Sequence, residues 1–358
     1  MTNTHSNESP ARRATIDDVA AGAGVSVATV SRALRNLPNV AESTRQRVAD
    51  VAASLAYQPD PAAARLAAGR TGTVTVAVPS LNGWYFSTVV AGAETVCADA
   101  GLEFQVIGIA TPQQRDRLLD ELQRIERRTD GLILIDITVT DEQAASLQRR
   151  RVSLATVGSR TIGHPSVAID DTHVGRVAAD HLVGLGHRRI AVIGGVADGP
   201  MSFDAPIARR RGFESAIHAH GITLAEGSFM NGQFNVAGGY AAMTALIDSA
   251  ERPTAVFAMS DEMAFGAIMA LNEHGLVPGD DVSLIGVDDH EFAQVVRLTT
   301  IRQPVADHGS AAARLLIETM TARDRSDAGV HRIDAEVASL QPEVHLVERS
   351  TTGPPPRT

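Results

Sequence analysis

From Thr73 onward, short β-branched apolar runs alternate with helical stretches, and this alternation leaves few architectures open. The runs are TVTVAV (73–78), FQVIGI (104–109), LILIDI (132–137), LATV (154–157), IAVI (190–193), AVFAM (255–259) and VSLIGV (282–287). Between many of them lie stretches of helical character: Phe86–Ala100, Gln113–Arg127, Thr172–Leu185, Ala208–His220, Ala237–Ser249 and Glu262–His274. Strand runs that are apolar throughout, separated by helices, read as βαβ units around parallel sheets covered on both faces. One large sheet or two smaller lobes both satisfy the pattern. Aromatics are only 4% of the chain, so such a core is built mainly from Ala, Val, Leu and Ile.

The first part of the chain has a different texture. From Thr15 to about Leu55 the pattern is helical throughout, with no strand-like alternation. Thr15 N-caps a first helix with Asp17 and Asp18 in its first turn. Gly24 supplies the positive φ of a tight turn. Ser26 caps a second helix whose Val30 and Leu34 point inward. Small Ala20, turn Gly24 and apolar Val30 satisfy the steric needs of two closely crossing helices, a helix-turn-helix. The second helix then presents Val27, Ala28, Thr29, Ser31 and Arg32 outward: a low surface with hydroxyls for phosphates and one guanidinium for a base edge. A third helix, Glu42–Leu55, closes a small core with Val48, Val51, Ala52 and Leu55. Ala41 precedes it, so that helix lacks a side-chain cap.

Charge follows the same division. The chain carries a net −10, yet residues 1–70 hold eight arginines against six acids. A mildly basic head on an acidic body fits a nucleic-acid-binding module fused to something else. The segment Gln58–Gly72, with two prolines and Gly69 and Gly72 at its end, joins the two textures. The tail STTGPPPRT reads as a disordered end.

The run TIDDVAAGAGVSVATVSRAL (15–34), followed by VAESTRQRV and AYQPDPAAARLA, resembles the headpiece of the lactose-repressor/galactose-repressor (LacI/GalR) family of bacterial transcription regulators. Downstream, GHRRIAVIGG (186–195), RRGF (210–213), SDEMAFGA (260–267) and DVSLIGVDD (281–289) resemble family blocks in family order. The resemblance implies an N-terminal all-α helix-turn-helix headpiece joined to an α/β two-lobed effector domain of the periplasmic-binding-protein type I kind. The expected layout is a disordered N-terminus (1–14), the headpiece (15–57), a hinge helix or linker (58–72), an effector-binding and dimerisation domain (73–350) and a disordered tail (351–358).

What the resemblance implies for DNA is specific. The second helix enters the major groove of double-stranded operator DNA. Val27 and Ala28 make apolar contacts there, Arg32 reads a base edge, and Thr15, Ser26, Thr29 and Ser31 hold the backbone. The linker becomes a hinge helix that folds on the operator. Leu66 occupies the position that wedges into the minor groove, and Ala63 the small position where paired hinges meet. Ala64 stands where a basic or amide side chain is common, with Arg65 one step away to replace it. A short Ala-rich segment is below the length of a stable isolated helix, which suits a switch.

For the effector, the resemblance implies a small molecule, a sugar or derivative, in a cleft between the lobes. Tyr85 and Phe86 match an aromatic pair at that cleft, with Trp84 where proline is common. Arg209 matches an arginine that holds polar effector groups, and Asp288 an acid that accepts from hydroxyls or amines. Phe234 matches an aromatic at the mouth, and Ser260 a position that is often Asn or Asp. Asp136 and Arg160 join them as strand-end candidates. The resemblance thus implies a homodimeric, allosterically controlled repressor. A regulator of the same fold that needs a purine, nucleoside or other metabolite as corepressor, and a solute-binding protein without DNA function, are the alternatives. The second would need an export signal and would not need residues 15–66.

Other classes find no support. Without Lys there is no G-x-x-x-x-G-K-[ST] loop. There is no G-x-S-x-G elbow, and the histidines show no metal-ligand spacing, so no enzyme, cofactor or metal is expected. The single Cys97 excludes an intramolecular disulfide and a Cys-based zinc site. No apolar stretch reaches the roughly 20 residues that span a bilayer, so no membrane partner is expected. MTNTHSNESPARR has no apolar signal-peptide region, so a cytoplasmic protein is expected.

Overall fold

The computed structural model describes residues 14–34, 39–57, 70–120, 127–150, 152–195, 204–327 and 338–357. It divides into two units, residues 1–72 and 73–358. Most of the expected hinge, including Ala63, Arg65 and Leu66, lies outside the described residues, as does nearly all of the expected disordered N-terminus.

The described residues of the first unit form three helices, α1 (Ile16–Ala23), α2 (Val27–Leu34) and α3 (Glu42–Ser54). Thr15 and Asp18 form a reciprocal capping box at α1, and Gly24 ends it at φ 67°. The Thr29 N–H donates to Ser26 Oγ at the start of α2 (3.2 Å). Val19, Ala20, Ala23, Val30, Ala33, Val48 and Ala52 form the core. α1 also packs closely on α3: a Cβ on Gly22 would meet Val51 Cγ1 at 2.8 Å. Ala41 makes no side-chain cap bond. Leu55 departs from expectation. It follows the last turn of α3 and is exposed, while Tyr57 packs against the core instead.

Among its described residues the second unit holds two six-stranded sheets, which resolves the choice between one sheet and two lobes. In the first, the order is β11 (Ser339–Leu340), β5 (Ser166–Val167), β4 (Ser153–Val157), β3 (Gly131–Ile135), β1 (Thr73–Val78) and β2 (Glu103–Gly108). In the second it is β12 (His345–Val347), β10 (Thr299–Arg302), β9 (Ser283–Asp288), β8 (Ala255–Ala258), β6 (Ile190–Gly194) and β7 (Phe229–Asn231). All pairs are parallel except β10 with β12.

Burial on both faces explains the apolar runs. On β1 and β3, Val74, Val76, Val78, Ile133 and Ile135 join one core, while Ala77, Leu132 and Leu134 join another. This is the period-2 alternation of a strand with both faces covered. Helices cover the sheets: α4 (Trp84–Asp99), α5 (Pro112–Asp120), α6 (Asp141–Arg149), α7 (Asp171–Gly184), α8 (Asp204–Ala219), α9 (Val236–Ile247), α10 (Asp261–Glu273), the short α11 (Glu291–Val295) and the long α12 (Val305–Asp327). Because β5, α12 and β11 belong to the first lobe and α7, β10 and β12 to the second, the chain crosses between lobes three times.

The end of the chain departs from its expected disorder. Thr351 is buried. Leu284 N–H donates to its carbonyl (2.6 Å), and Thr299 N–H donates to its Oγ1 (2.8 Å). The fully buried His187 fastens the next residues: Nε2 donates to the Gly353 carbonyl (2.9 Å), and Nδ1 lies 2.9 Å from Thr254 Oγ1. Composition suggested a free tail, but backbone groups that pair with a sheet outweigh a Gly/Pro-rich sequence. His187→Ala is expected to lower stability by about 1–3 kcal/mol, because it strands buried polar partners. Urea denaturation reads this directly, and an unchanged midpoint would refute it.

Candidate functional site

A cavity of about 510 Å³ lies between the two lobes. It is formed where strands end. Ser80 follows β1, Asp136 follows β3, Gly195 follows β6, Ser260 follows β8, Asp288 closes β9 and Gln303 follows β10. Open parallel sheets collect ligands at the carboxyl ends of their strands. Residues far apart in sequence therefore converge without any local motif.

Tyr85, Phe86, Asp136, Arg209, Phe234, Ser260 and Asp288 all line the cavity. Arg160 does not. Its side chain is exposed and donates to Gln341 Oε1 at 2.6 Å. A place beyond a strand end does not fix where a long side chain points. Trp84, at the start of α4, lies tilted against His290 with ring centroids 4.4 Å apart, placing an aromatic contact between the lobes.

The charged centre is Arg209, which is 7% exposed. Its Nε donates to Asp171 Oδ1 (2.7 Å) and its Nη1 to the Met259 carbonyl (2.6 Å). Burial works against its charge, but the carboxylates of Asp171 and Asp288 more than offset this and raise its pKa. Asp288 accepts from Gln303 Nε2 at 2.6 Å. Burial pushes Asp288 up to about 6, against the pull of Arg209 and Gln303. Asp136 is pushed up to about 7, by burial first and then by Asp171. Burial and then Asp136 hold the Tyr85 phenol well above its ordinary range. Asp261 lies behind the wall, fully buried. It accepts from Thr300 Oγ1 (2.6 Å) and His290 N–H (2.8 Å).

Backbone strain gathers here too. Asp136, Gln233, Phe234 and Asp288 adopt φ of 49°, 53°, 50° and 121°, a region that non-glycine residues rarely occupy. Such strain persists where surrounding contacts impose it, often at ligand sites.

The raised carboxylate has a consequence for pH. An acid whose pKa rises on folding binds its proton more tightly in the native state, so its contribution to stability falls as pH rises through the window between the two values. For Asp136 that window runs from 3.8 to about 7. His308, pushed down to about 4 by burial, acts in the opposite sense between 6.5 and about 4. Asp136→Asn is therefore expected to gain stability relative to wild type as pH rises from 5 toward 8, by about 1 kcal/mol or more. Parallel melting profiles of the two proteins would contradict this.

The other surface is on α2. Val27 is 38% exposed, and Ala28 and Arg32 are exposed. Arg32 makes no hydrogen bond or ion pair among the described residues. Thr29 is half-buried, with Oγ1 2.9 Å from Ser26 Oγ. Ser31 is half-buried. Thr15 Oγ1 donates to Asp18 Oδ2 (2.9 Å), so its hydroxyl proton is used within the headpiece. Asp171, Glu262, Gln303 and His308 also line the cavity and were not anticipated from sequence.

A helix-turn-helix unit followed by a two-lobed α/β unit with an interlobe cavity defines a DNA-binding protein fused to a small-molecule receptor. Residues 15–60 match the family model described as bacterial regulatory proteins, lacI family, and residues 179–352 match a periplasmic binding protein-like domain. The chain is 31% identical to catabolite control protein A of Priestia megaterium over 89% of its own length and 97% of that protein's. It is 32% identical to the transcriptional repressor CytR of Escherichia coli strain K12, over 86% and 90%. Among solved structures, the lac repressor dimer bound to operator and the anti-inducer ONPF aligns with a TM-score of 0.77 at 26% identity, covering 96% of this chain and all of that one. A complex of the transcriptional regulator CelR with cellobiose aligns at 0.64 and 30%, covering 95% and 100%. The chain belongs to the lacI family of bacterial regulatory proteins, DNA-binding transcriptional regulators with a ligand-binding effector domain. Among the described residues, no helix is long and apolar enough to cross a membrane.

Proposed function

We propose that this chain is a cytoplasmic repressor whose affinity for operator DNA is controlled by a sugar or sugar derivative bound in the interlobe cavity. It acts as a homodimer, so that two headpieces read the two halves of a pseudo-palindromic site. It performs no catalysis. The observation that carries this reading is the cavity itself: a buried arginine flanked by strand-end carboxylates and aromatic rings, the chemistry that polyhydroxylated ligands need.

In the mechanism, α2 lies in the major groove. Arg32 pairs with a base edge, Val27 and Ala28 pack on it, and Ser26, Thr29 and Ser31 fix the helix on the backbone; Thr15, whose hydroxyl is held by Asp18, has no part in this. Residues 58–72 form the hinge, with Leu66 as the wedge, Ala63 at the hinge pairing and Arg65 near the phosphates. A bound sugar spans both lobes, and any change in their angle reaches the hinges. The ligand acts only through its differential affinity for the two states.

Operator affinity of the full chain, measured with and without saccharides that raise its melting temperature, tests this reading. A change in operator Kd is expected, with its sign separating an inducer from a corepressor. Saccharide binding with no change in Kd would refute it. Affinity is also expected to fall steeply with salt, as phosphate contacts require.

A further inference from the structure

The cavity holds more negative than positive charge. Asp136, Asp171, Glu262 and Asp288 line it, and Arg209 is the one guanidinium among the described lining residues. Arg209 is already committed to Asp171 and to the Met259 carbonyl. Neutral donors serve two of the other three carboxylates. Gln303 Nε2 donates to Asp288, and the Trp84 backbone N–H donates to Glu262. Asp136 accepts no hydrogen bond among the described residues. Asp288 stands within Coulomb reach of both Asp136 and Glu262. A cation beside Asp288 is therefore attracted by three carboxylates, and an anion is repelled by them.

His308, in the first turn of α12, also lines the cavity and is only 2% exposed. Its Nε2 is closed to solvent and has no hydrogen-bond partner among the described residues. Burial keeps this imidazole neutral, so it adds no positive charge to offset the carboxylates.

We propose that the cavity takes a polyhydroxylated ligand carrying a protonated amine, an amino sugar rather than a neutral or phosphorylated one, with its ammonium among Asp136, Glu262 and Asp288. This rests on the reading of the cavity as the effector site and adds the charge of its ligand. Neutral sugars satisfy the polar groups but leave the carboxylates uncompensated. Phosphorylated sugars place like charge against them in a site of low dielectric.

The test is calorimetric titration of the full-length protein with matched neutral, amino and phosphorylated members built on ribose, glucose and cellobiose, with spermine as an amine lacking hydroxyls. Within the series that binds, the amino member is expected to bind at least about tenfold tighter than the neutral one, with no detectable binding of the phosphate. Glu262→Gln should bring the amino-to-neutral ratio toward one while neutral binding persists, with Asp136→Asn as a second variant for the same ratio. A neutral or phosphorylated member that binds as tightly as its amino counterpart would overturn the proposal and leave the sugar-effector reading standing. Spermine binding as tightly as the amino sugar would overturn the polyhydroxylated part. No binding in any series would overturn both readings.

Discussion

Replacing Arg32 with alanine is expected to weaken binding to the preferred operator by about 10- to 100-fold, the worth of one good guanidinium–base pairing. The headpiece should stay as stable as before. Arg32 is exposed on α2 and has no partner among the described residues, so its removal breaks nothing within the fold. Val30 and Ala33, which carry the packing of α2, are untouched. Non-specific binding depends on the sum of phosphate contacts and should change little. An operator selected by the wild-type protein from random duplexes provides the probe, and fluorescence anisotropy the readout. Unchanged discrimination between that operator and a scrambled duplex would remove Arg32 from the reading surface.

Arg209→Met is expected to lower stability by about 3–5 kcal/mol, because it leaves a buried carboxylate without its charge partner. The side chains of Arg209 and Asp171 are only 8% and 10% exposed, so water gives little relief. The Met259 carbonyl also loses its donor. The double variant Arg209→Met, Asp171→Leu should recover part of the loss, since it removes the stranded charge as well. Chemical denaturation measures both. Equal losses in the single and double variants would show that the ion pair is not the cause.

The body of the fold was largely readable, and the reason lies in residues such as Val74–Val78 and Leu132–Ile135. Both faces of these strands are covered, so apolar runs mark them even without alternation. Strands β5, β7, β11 and β12 are two or three residues long, too short for any period to show. The headpiece was readable for another reason: Ala20, Gly24 and Val30 are steric requirements that sit close together in sequence. Leu55 and the tail at Thr351–Gly353 were misread because tertiary pairing decided them.

The cavity was readable only through family resemblance. Arg209 on α8 and Asp288 at the end of β9 are brought together by the tertiary fold, and nothing in their spacing announces it. Asp171 and Glu262 were hidden by a plausible local role, since acids in the first turn of α7 and α10 read as favourable helix starts. His308 lies in a helix whose sequence gives no sign that one nitrogen would be buried unpaired. Arg160 shows the reverse error: its position was suitable, but its side chain turns to Gln341.

The central claim is that one chain couples sequence-specific DNA binding to the occupancy of the interlobe cavity. The most direct measurement is the Kd of the full-length protein for its selected operator and for a scrambled duplex, over a range of salt, with and without a saccharide that binds the cavity. The account predicts a preference for the selected operator of about 10³ or more, and a shift in that operator's Kd when the saccharide is present. Equal affinity for both duplexes, unmoved by the ligand, would contradict it.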